Sequence, residues 1–230
     1  MTLLLNIETA TPICSVAISQ DGELLAIRES KEKNSHSAKL NTFIEEMMEE
    51  AKVSYKDLDA VAVSMGPGSY TGLRIGVSAA KGFCYAMDIP LIGIPTLMSM
   101  ANGAKNLIKE DMLLCPMIDA RRMEVYCALF DSDLKEIQKT DAIIIEENTF
   151  HKYLNDSKIA FFGDGAEKCK ELLSSNSNAI FLNDYQISSE YMISLAMERF
   201  NKKEFDDTAY FEPFYLKDFI AGKPKVKGLR

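Results

Sequence analysis

The apolar and polar positions predict strands at the start of the chain and a helix after them. Residues 3–7 and 14–19 are apolar runs typical of strands, and an Asp-Gly turn leads from the second run into a third strand at 23–30. Between residues 36 and 51 the apolar positions recur with a helical period, and glutamates occupy the opposite face. The pattern therefore predicts a meander of three strands followed by one amphipathic helix.

The remaining pattern predicts a second unit that repeats the first. The first unit continues with a strand at 60–65, a helix at 71–87 and a strand at 91–94. The second half has strands at 113–118, 124–130, 135–145, 159–162 and 179–182, with helices at 147–154, 167–174 and 189–200. Both halves share the order βββαβα with little sequence likeness, which indicates an ancient duplication. Such a duplication is typical of the two-lobe α/β fold of actin-like ATPases, which sugar kinases and Hsp70 share.

The repeat also divides the chain. We assign residues 1–108 to an N-terminal lobe that binds a partner and residues 109–215 to a C-terminal lobe, with a basic tail at 216–230. The final helix at 189–200 is expected to pack back on the N-terminal lobe.

Composition and charge limit the environment and the partners of the chain. The formal net charge of -8 at pH 7 disfavours a sequence-independent grip on nucleic acid, which needs clustered lysines and arginines. Five widely spaced cysteines without a CxxC pair are typical of buried thiols in a reducing compartment. No apolar run reaches the ~18 residues of a membrane span. We therefore expect a cytoplasmic protein that is neither exported nor inserted in a membrane.

The most unusual motif is a glycine-rich turn between a strand and a helix, with the sequence GPGSYTGLRIG at 66–76. Backbone N–H groups converge at such a helix start, so Gly66, Gly68 and Ser69 are candidates for contact with a phosphate or another anion. The spacing fits neither common nucleotide motif. A P-loop needs a glycine followed by lysine five positions after its first glycine, and Thr71 stands there. A dinucleotide fingerprint would also need glycine at Thr71.

Several motifs together resemble the TsaB family, which is also called YeaZ. They occur in the family's order, with IETAT at 7–11, HSA at 36–38, GPGSYTGLRIG at 66–76, DARRMEVY at 119–126 and PFYL at 213–216. The resemblance spans nearly the whole chain and implies an actin-like ATPase fold. It implies a non-catalytic subunit in the bacterial biosynthesis of N6-threonylcarbamoyladenosine in tRNA, paired with the paralogous transferase TsaD and joined by TsaE in a larger complex. It also implies a homodimer when the chain is alone and contact with tRNA only through the complex.

The resemblance also indicates which chemistry the chain lacks. In TsaD relatives two histidines four residues apart on a helix hold a metal, and Thr96 and Met100 stand at these positions. Threonine and a thioether are poor ligands for hard or borderline metals. Glu8 is a single carboxylate at a strand end without a second acid, base or metal ligand in view, which is more typical of a structural role than of a catalytic one. We therefore expect no metal, no cofactor and no catalytic residue.

Two motifs of the second half lie where actin-like ATPases hold a nucleotide. Gly163 and Gly165 flank Asp164 in a strand-to-helix turn, and Asp164 would bring negative charge close to an anionic ligand. Arg121 and Arg122 lie in a hairpin at the position of a phosphate-binding turn. Arginines attract phosphate, so these two residues and the two glycines are candidate anion contacts. A structural or partner-binding role is the alternative.

The helix after the glycine loop is apolar on two sides, which indicates two packing partners. Its small residues would let another helix approach closely. One side is either covered by this chain or free for another protein, and the family resemblance favours the second, because TsaB proteins pair through the first two helices of the N-terminal lobe. The predicted partner-binding residues are Leu40, Phe43, Ile44, Met47, Leu73, Gly76, Ala79, Ala80, Gly82 and Phe83.

Three functions remain open from the sequence. The first is an adaptor that binds and organises TsaD, and through it TsaE and tRNA. The second is an enzyme of the same superfamily, either a nucleotide-dependent kinase or a metallopeptidase. The third is a direct tRNA binder through basic residues near the end of the sequence, which are Lys217, Lys223, Lys225, Lys227 and Arg230.

Overall fold

The computed structural model describes residues 1–32, 35–108 and 111–217. The first sheet has five strands, β1 (Leu3–Glu8), β2 (Cys14–Gln20), β3 (Glu23–Ser30), β4 (Ala60–Gly66) and β5 (Leu91–Pro95). Helices α1 (His36–Ala51), α2 (Tyr70–Met87) and α3 (Thr96–Lys105) come after β3, β4 and β5. The spatial order is β3-β2-β1-β4-β5, with antiparallel pairing in the meander and parallel pairing from β1 to β5.

The second sheet has the same topology. Its strands are β6 (Leu113–Asp119), β7 (Glu124–Phe130), β8 (Glu136–Ile144), β9 (Ile159–Phe162) and β10 (Ala179–Phe181). The helices that follow β8, β9 and β10 are α4 (His151–Leu154), α5 (Lys170–Leu173) after a 3₁₀ turn, and α6 (Ile193–Lys202) after another 3₁₀ turn. The order β8-β7-β6-β9-β10 matches the first sheet strand for strand. The predicted duplicated α/β fold is therefore confirmed, and each unit extends to βββαβαβα.

Helices α3 and α4 differ most from the sequence prediction, while the helices predicted at 167–174 and 189–200 each begin with a 3₁₀ turn. The apolar pattern predicts no helix at α3, because the buried residues surround this helix and leave no polar face to give a helical period. The helix predicted at 147–154 is shortened to α4. The hydroxyl of Thr149 accepts the N–H of Glu146 at 2.7 Å in a turn before α4, and such local bonds compete with helical ones.

The third helix of each half packs on the sheet of the other half. Helix α3 lies against the second sheet, where Leu97 and Met100 share a buried cluster with Phe162. The segment that leads into α6 lies against the first sheet, where Met192 packs with Leu4. This exchange ties the two halves together through buried apolar surface.

Helices α1 and α2 cover the opposite face of the first sheet. Ile44 and Met47 of α1 are fully buried and share one cluster with Val77 and Ala80 of α2. Burial of an aliphatic side chain stabilises the fold by roughly 1.5–3 kcal/mol, so the apolar stripe of α1 contributes to the core. The glutamates of α1 face solvent, as the pattern predicted.

An arm at residues 205–217 leaves α6 and runs from the first sheet to the second. Asp206 forms an antiparallel bridge to β5, and the N–H of Phe214 donates to a carbonyl oxygen of β4 at 2.7 Å. The ammonium group of Lys217 pairs with the carboxylate of Glu124 on β7. The arm therefore contacts both halves.

The remaining predictions concern the tail and the membrane. Of the tail predicted at 216–230, the structure describes only residues 216 and 217, so Lys223, Lys225, Lys227 and Arg230 lie outside the described residues. Among the helices that are described, none has both the length and the apolar character needed to cross a bilayer.

Candidate functional site

The glycine loop between β4 and α2 is shaped by close contact with the segment after β1. A Cβ atom at Gly72 would lie 2.1 Å from the carbonyl oxygen of Thr9. A Cβ atom at Gly68 would lie 2.4 Å from the carbonyl oxygen of Ala10, and one at Gly76 would lie 2.2 Å from the hydroxyl oxygen of Thr9. Glycine is required at these three positions because no side chain fits between the two segments.

The backbone donors of this loop are also used within the chain. The N–H of Ser69 donates to the carbonyl oxygen of Ala10 at 2.6 Å, and the N–H of Gly66 donates to the hydroxyl of Thr96 at 3.1 Å. The N–H of Gly72 donates to the hydroxyl of Ser69, which is the N-cap of α2. These three donors hold the loop to its own chain, and contact of the loop with an anion stays a prediction.

We expect Gly72→Ala to destabilise the fold, because its methyl group would overlap a backbone oxygen. Overpacking of this kind costs on the order of 1–3 kcal/mol, and urea unfolding should show it as a lower midpoint. Gly82→Ala is the matched control on the same helix, since a Cβ atom there has no neighbour within 4 Å. Equal stability of the two variants would contradict the close contact at Gly72.

Glu8 is the last residue of β1, beside the contact between the glycine loop and residues 9 and 10. It is fully buried. Its Oε1 accepts the N–H of Ala10 at 2.6 Å, and its Oε2 has no hydrogen-bond partner among the described residues. Burial of the carboxyl raises its pKa to about 7, against the lowering effect of hydrogen bonds from Ala10, Ser64 and Thr9. A carboxyl with such a pKa suits proton transfer. The hydrogen bonds of Glu8 are, however, with Ala10, Thr9 and Ser64 beside the glycine loop, which favours the structural role.

Thr96 and Met100, which stand where TsaD relatives have metal-binding histidines, lie in the interior. Thr96 is fully buried with its hydroxyl bonded to the glycine loop, and Met100 lies in an apolar cluster. His36 is buried at the start of α1, whereas His151 is exposed on α4. In the part of the chain that the structure describes, no three His, Cys, Asp or Glu side chains are grouped to hold a metal ion.

The glycines of the second half also serve close packing. A Cβ atom at Gly163 would lie 2.3 Å from the carbonyl oxygen of Met117. A Cβ atom at Gly165 would lie 2.9 Å from the carbonyl carbon of Ile118. The N–H of Gly165 donates to the carbonyl oxygen of Met117 at 3.0 Å. Both glycines therefore face the backbone of β6.

A polar cluster follows these glycines at the β6–β7 hairpin. Asp164 Oδ1 accepts the N–H of Asp119 at 3.1 Å, and the carboxylate of Asp119 pairs with Lys168. Burial raises the pKa of the Asp164 carboxyl. Arg121 and Arg122 are exposed in the hairpin with φ of 71° and 48°. The structure thus brings the four predicted residues Arg121, Arg122, Gly163 and Gly165 near one turn. Anion contact by the two arginines stays a prediction.

A cavity of about 270 Å³ lies between the two halves. Residues 11–13 form one wall, and the second half contributes Gly163, Asp164 and Ile187. The volume is below the roughly 300–1,000 Å³ that is usual for ligand pockets. The wall also holds one carboxyl, Asp164, and one ammonium group, Lys31, so its charge does not select a negatively charged ligand. The small volume makes this cavity a poor site for a nucleotide.

The predicted partner-binding residues fall into two sets on α1 and α2. The first set is buried within the single chain, because the first sheet needs an apolar cover. These residues lie beneath the outer surface of the two helices. Its members are Leu40, Ile44, Met47, Leu73, Gly76 and Ala80. The second set reaches the surface in full or in part, and its members are Phe43, Ala79, Gly82 and Phe83.

A groove of about 630 Å³ runs between the start of α1 and the first three turns of α2 on this face. Ile75 and Ala79 lie on its apolar side, while Ser37, Asn41 and Arg74 give it polar groups. The apolar period did not mark Ser37 or Asn41 as site residues, because it detects only side chains that are buried. We call this surface the α1/α2 face.

The arm forms part of the same surface. The guanidinium carbon of Arg74 lies 4.1 Å from the ring centroid of Tyr70, and its Nε donates to the hydroxyl of Tyr215 at 3.3 Å. The ring centroids of Tyr70 and Tyr215 are 5.0 Å apart. Lys81 donates to two carbonyl oxygens of the arm, at 3.0 Å each. The only sequence signal for the arm was the PFYL motif.

Proteins and structures similar to this chain are known. A family model described as TsaD, tRNA N6-adenosine threonylcarbamoyltransferase, matches residues 24–223. The tRNA threonylcarbamoyladenosine biosynthesis protein TsaB of Escherichia coli (strain K12) is 30% identical over 227 residues, which cover 96% of each chain.

Solved structures show the fold. YeaZ from Pseudomonas aeruginosa matches with a TM-score of 0.82 at 23% identity, over 94% of this chain and 100% of that one. The activator of 2-hydroxyisocaproyl-CoA dehydratase from Clostridium difficile, solved with bound ADPNP, matches with a TM-score of 0.52 at 9% identity, over 90% of this chain and 99% of that one. The predicted two-lobe fold of actin-like ATPases is therefore confirmed.

Proposed function

The chain belongs to the TsaB family, and we propose that it is a non-catalytic subunit of the machinery that makes N6-threonylcarbamoyladenosine in tRNA. In this role it binds and organises the transferase TsaD, and TsaE joins the larger complex. Other subunits hold most of the tRNA, in keeping with the net charge of -8. The observation that carries the proposal is the α1/α2 face, with its groove and its open glycine.

The surface of α2 suits close contact with another helix. Ala79 is partly exposed and Gly82 is exposed, and a Cβ atom at Gly82 would have no neighbour within 4 Å. Such small residues let two helix axes approach each other. Phe43 and Phe83 are partly exposed on the same two helices and supply aromatic surface, which is common at the centre of interfaces.

Charge favours a partner with a similar helix pair. The outer side of α1 carries exposed glutamates, including Glu45 and Glu49, whereas α2 has no acidic residue and presents Arg74. A twofold axis that sets α1 of each helix pair on α2 of the other would bring opposite charges together. This pairing supports a homodimer of the isolated chain and a heterodimer with TsaD, whose family model matches this chain.

Affinity purification from native cell extract tests the proposal. The tagged chain should retain TsaD and TsaE, and depletion of the chain should lower the N6-threonylcarbamoyladenosine content of tRNA measured by mass spectrometry. Recovery of neither protein, together with unchanged tRNA modification after depletion, would contradict the adaptor role.

We expect the purified chain alone to hydrolyse no ATP and to hold no stoichiometric zinc or iron. The physical reasons are the side chains of Thr96 and Met100, which are poor metal ligands, and the small volume of the cavity that holds Asp164. Elemental analysis and a phosphate-release assay measure both properties. One equivalent of metal, or ATP turnover that is lost in Glu8→Gln, would favour a kinase or a metallopeptidase instead.

A further inference from the structure

The loop between β1 and β2, at residues 9–13, holds the start of α2. We call it the coupling loop. The carbonyl oxygen of Ala10 accepts the N–H of Ser69 at 2.6 Å, and the hydroxyl of Thr9 donates to the carbonyl oxygen of Gly72 at 2.8 Å. The glycines of the α2 start leave no free space against this loop. The backbone of the coupling loop is therefore in direct contact with the start of α2.

The same loop holds the start of α1. The Nε2 atom of His36, the first residue of α1, lies 2.9 Å from the carbonyl oxygen of Thr11 and 3.2 Å from that of Ile13. Carbonyl oxygens only accept hydrogen bonds, so Nε2 carries a proton and donates it to this pair. Both helices of the α1/α2 face thus begin on one loop.

The other side of the coupling loop lines the cavity between the two halves. Pro12 is exposed and Ile13 is partly exposed there, and Gln186 and Ile187 stand on the opposite side. None of the described residues that line this cavity belongs to α1 or α2. The loop is therefore a direct physical connection between the cavity and the α1/α2 face.

We propose that the coupling loop links the cavity to the α1/α2 face, so that a small, largely apolar group in the cavity changes the affinity of the face for its protein partner. The inference rests on the proposed function, because it takes TsaD as that partner. Close-packed interiors transmit strain. A group that presses on Pro12 or Ile13 shifts the backbone of the coupling loop, and the two helix starts shift with it.

A tryptophan at position 186 provides the probe. Gln186 is exposed and lines the cavity, so Gln186→Trp places an indole there without removing a core side chain. The chain has no tryptophan of its own, so the emission maximum of the variant reports whether the indole is buried. We expect a buried indole and a change of about fivefold or more in the Kd for purified TsaD. Gln186→Ala is the matched control and should stay within about twofold of the wild type.

Substitution of His36 tests the route of the coupling. In a His36→Ala background the link to α1 is lost while the contacts of Thr9 and Ala10 with the start of α2 remain. Gln186→Trp should therefore change the Kd less than it does in the wild-type background. His36→Gln keeps a side-chain N–H donor and should retain the coupling. Circular dichroism shows whether His36→Ala is folded. If this variant does not fold, the comparison of Gln186→Trp with Gln186→Ala in the wild-type background still decides the proposal.

The outcomes separate the coupling from the proposed function. A buried indole with an unchanged Kd overturns the coupling. An indole whose emission shows that it stays in water overturns the premise that the cavity accepts an apolar group, and the proposal falls with it. Both results leave the proposed function intact. Failure of the wild-type chain to bind TsaD would instead remove the proposed function.

Discussion

Gly82→Glu is expected to abolish pairing with TsaD while the chain still folds. A Cβ atom at this position has no neighbour within 4 Å, and glutamate is favoured over glycine in a helix by roughly 0.5–1 kcal/mol. In a close helix contact the same side chain would be an unpaired buried charge, which costs several kcal/mol. We therefore expect at least about a 100-fold loss of affinity, an unchanged or higher melting temperature, and less N6-threonylcarbamoyladenosine in the tRNA of cells that carry the variant.

Three further variants control this experiment. Gly82→Ala adds a methyl group without charge, so it should weaken pairing far less than Gly82→Glu. Ala79→Glu places a carboxylate beside the groove and should weaken pairing in the same way as Gly82→Glu. Arg121→Ala removes an exposed cation from the hairpin of the second half and should have little effect on pairing. Normal binding of TsaD by both glutamate variants would show that the partner binds elsewhere.

Much of the fold can be predicted from the sequence, because most strands and the long helices bury one or both faces in a sheet. The predicted bounds of β3 and α1 are those of the structure. Helix α3 could not be found in this way, since it is buried between neighbours and has no polar face.

The candidate site is less predictable, because a period shows that side chains are buried and not what buries them. Leu40, Ile44 and Met47 have the pattern of an apolar face, and the sheet of the same chain covers that face. The sequence also does not show which acceptors bind the N–H groups of the glycine loop. The N–H of Ser69 donates to the carbonyl oxygen of Ala10, which is distant in the sequence and comes close only in the folded structure.

Glu8→Gln is expected to stabilise the folded chain above neutral pH. Burial raises the pKa of Glu8 from 4.5 to about 7 in the folded state, so the folded chain binds this proton more tightly than the unfolded chain does. The stability that this group contributes is therefore full below pH 4.5 and is lost as the pH rises through 7. The loss amounts to on the order of 3 kcal/mol at pH 8. Glutamine stays neutral and its Oε1 can still accept the N–H of Ala10, so the variant avoids this loss.

Urea unfolding of the wild type and of Glu8→Gln at pH 5 and pH 8 measures the effect. The free energy of unfolding of the wild type should fall relative to that of Glu8→Gln between these two values, so that the variant gains most at pH 8. Glu45→Gln removes an exposed carboxylate from the surface of α1 and is the matched control; its pH dependence should follow that of the wild type. If Glu8→Gln and the wild type lose stability in parallel as the pH rises, the carboxyl of Glu8 is ionised in the folded chain well below neutrality, and its burial does not govern its titration.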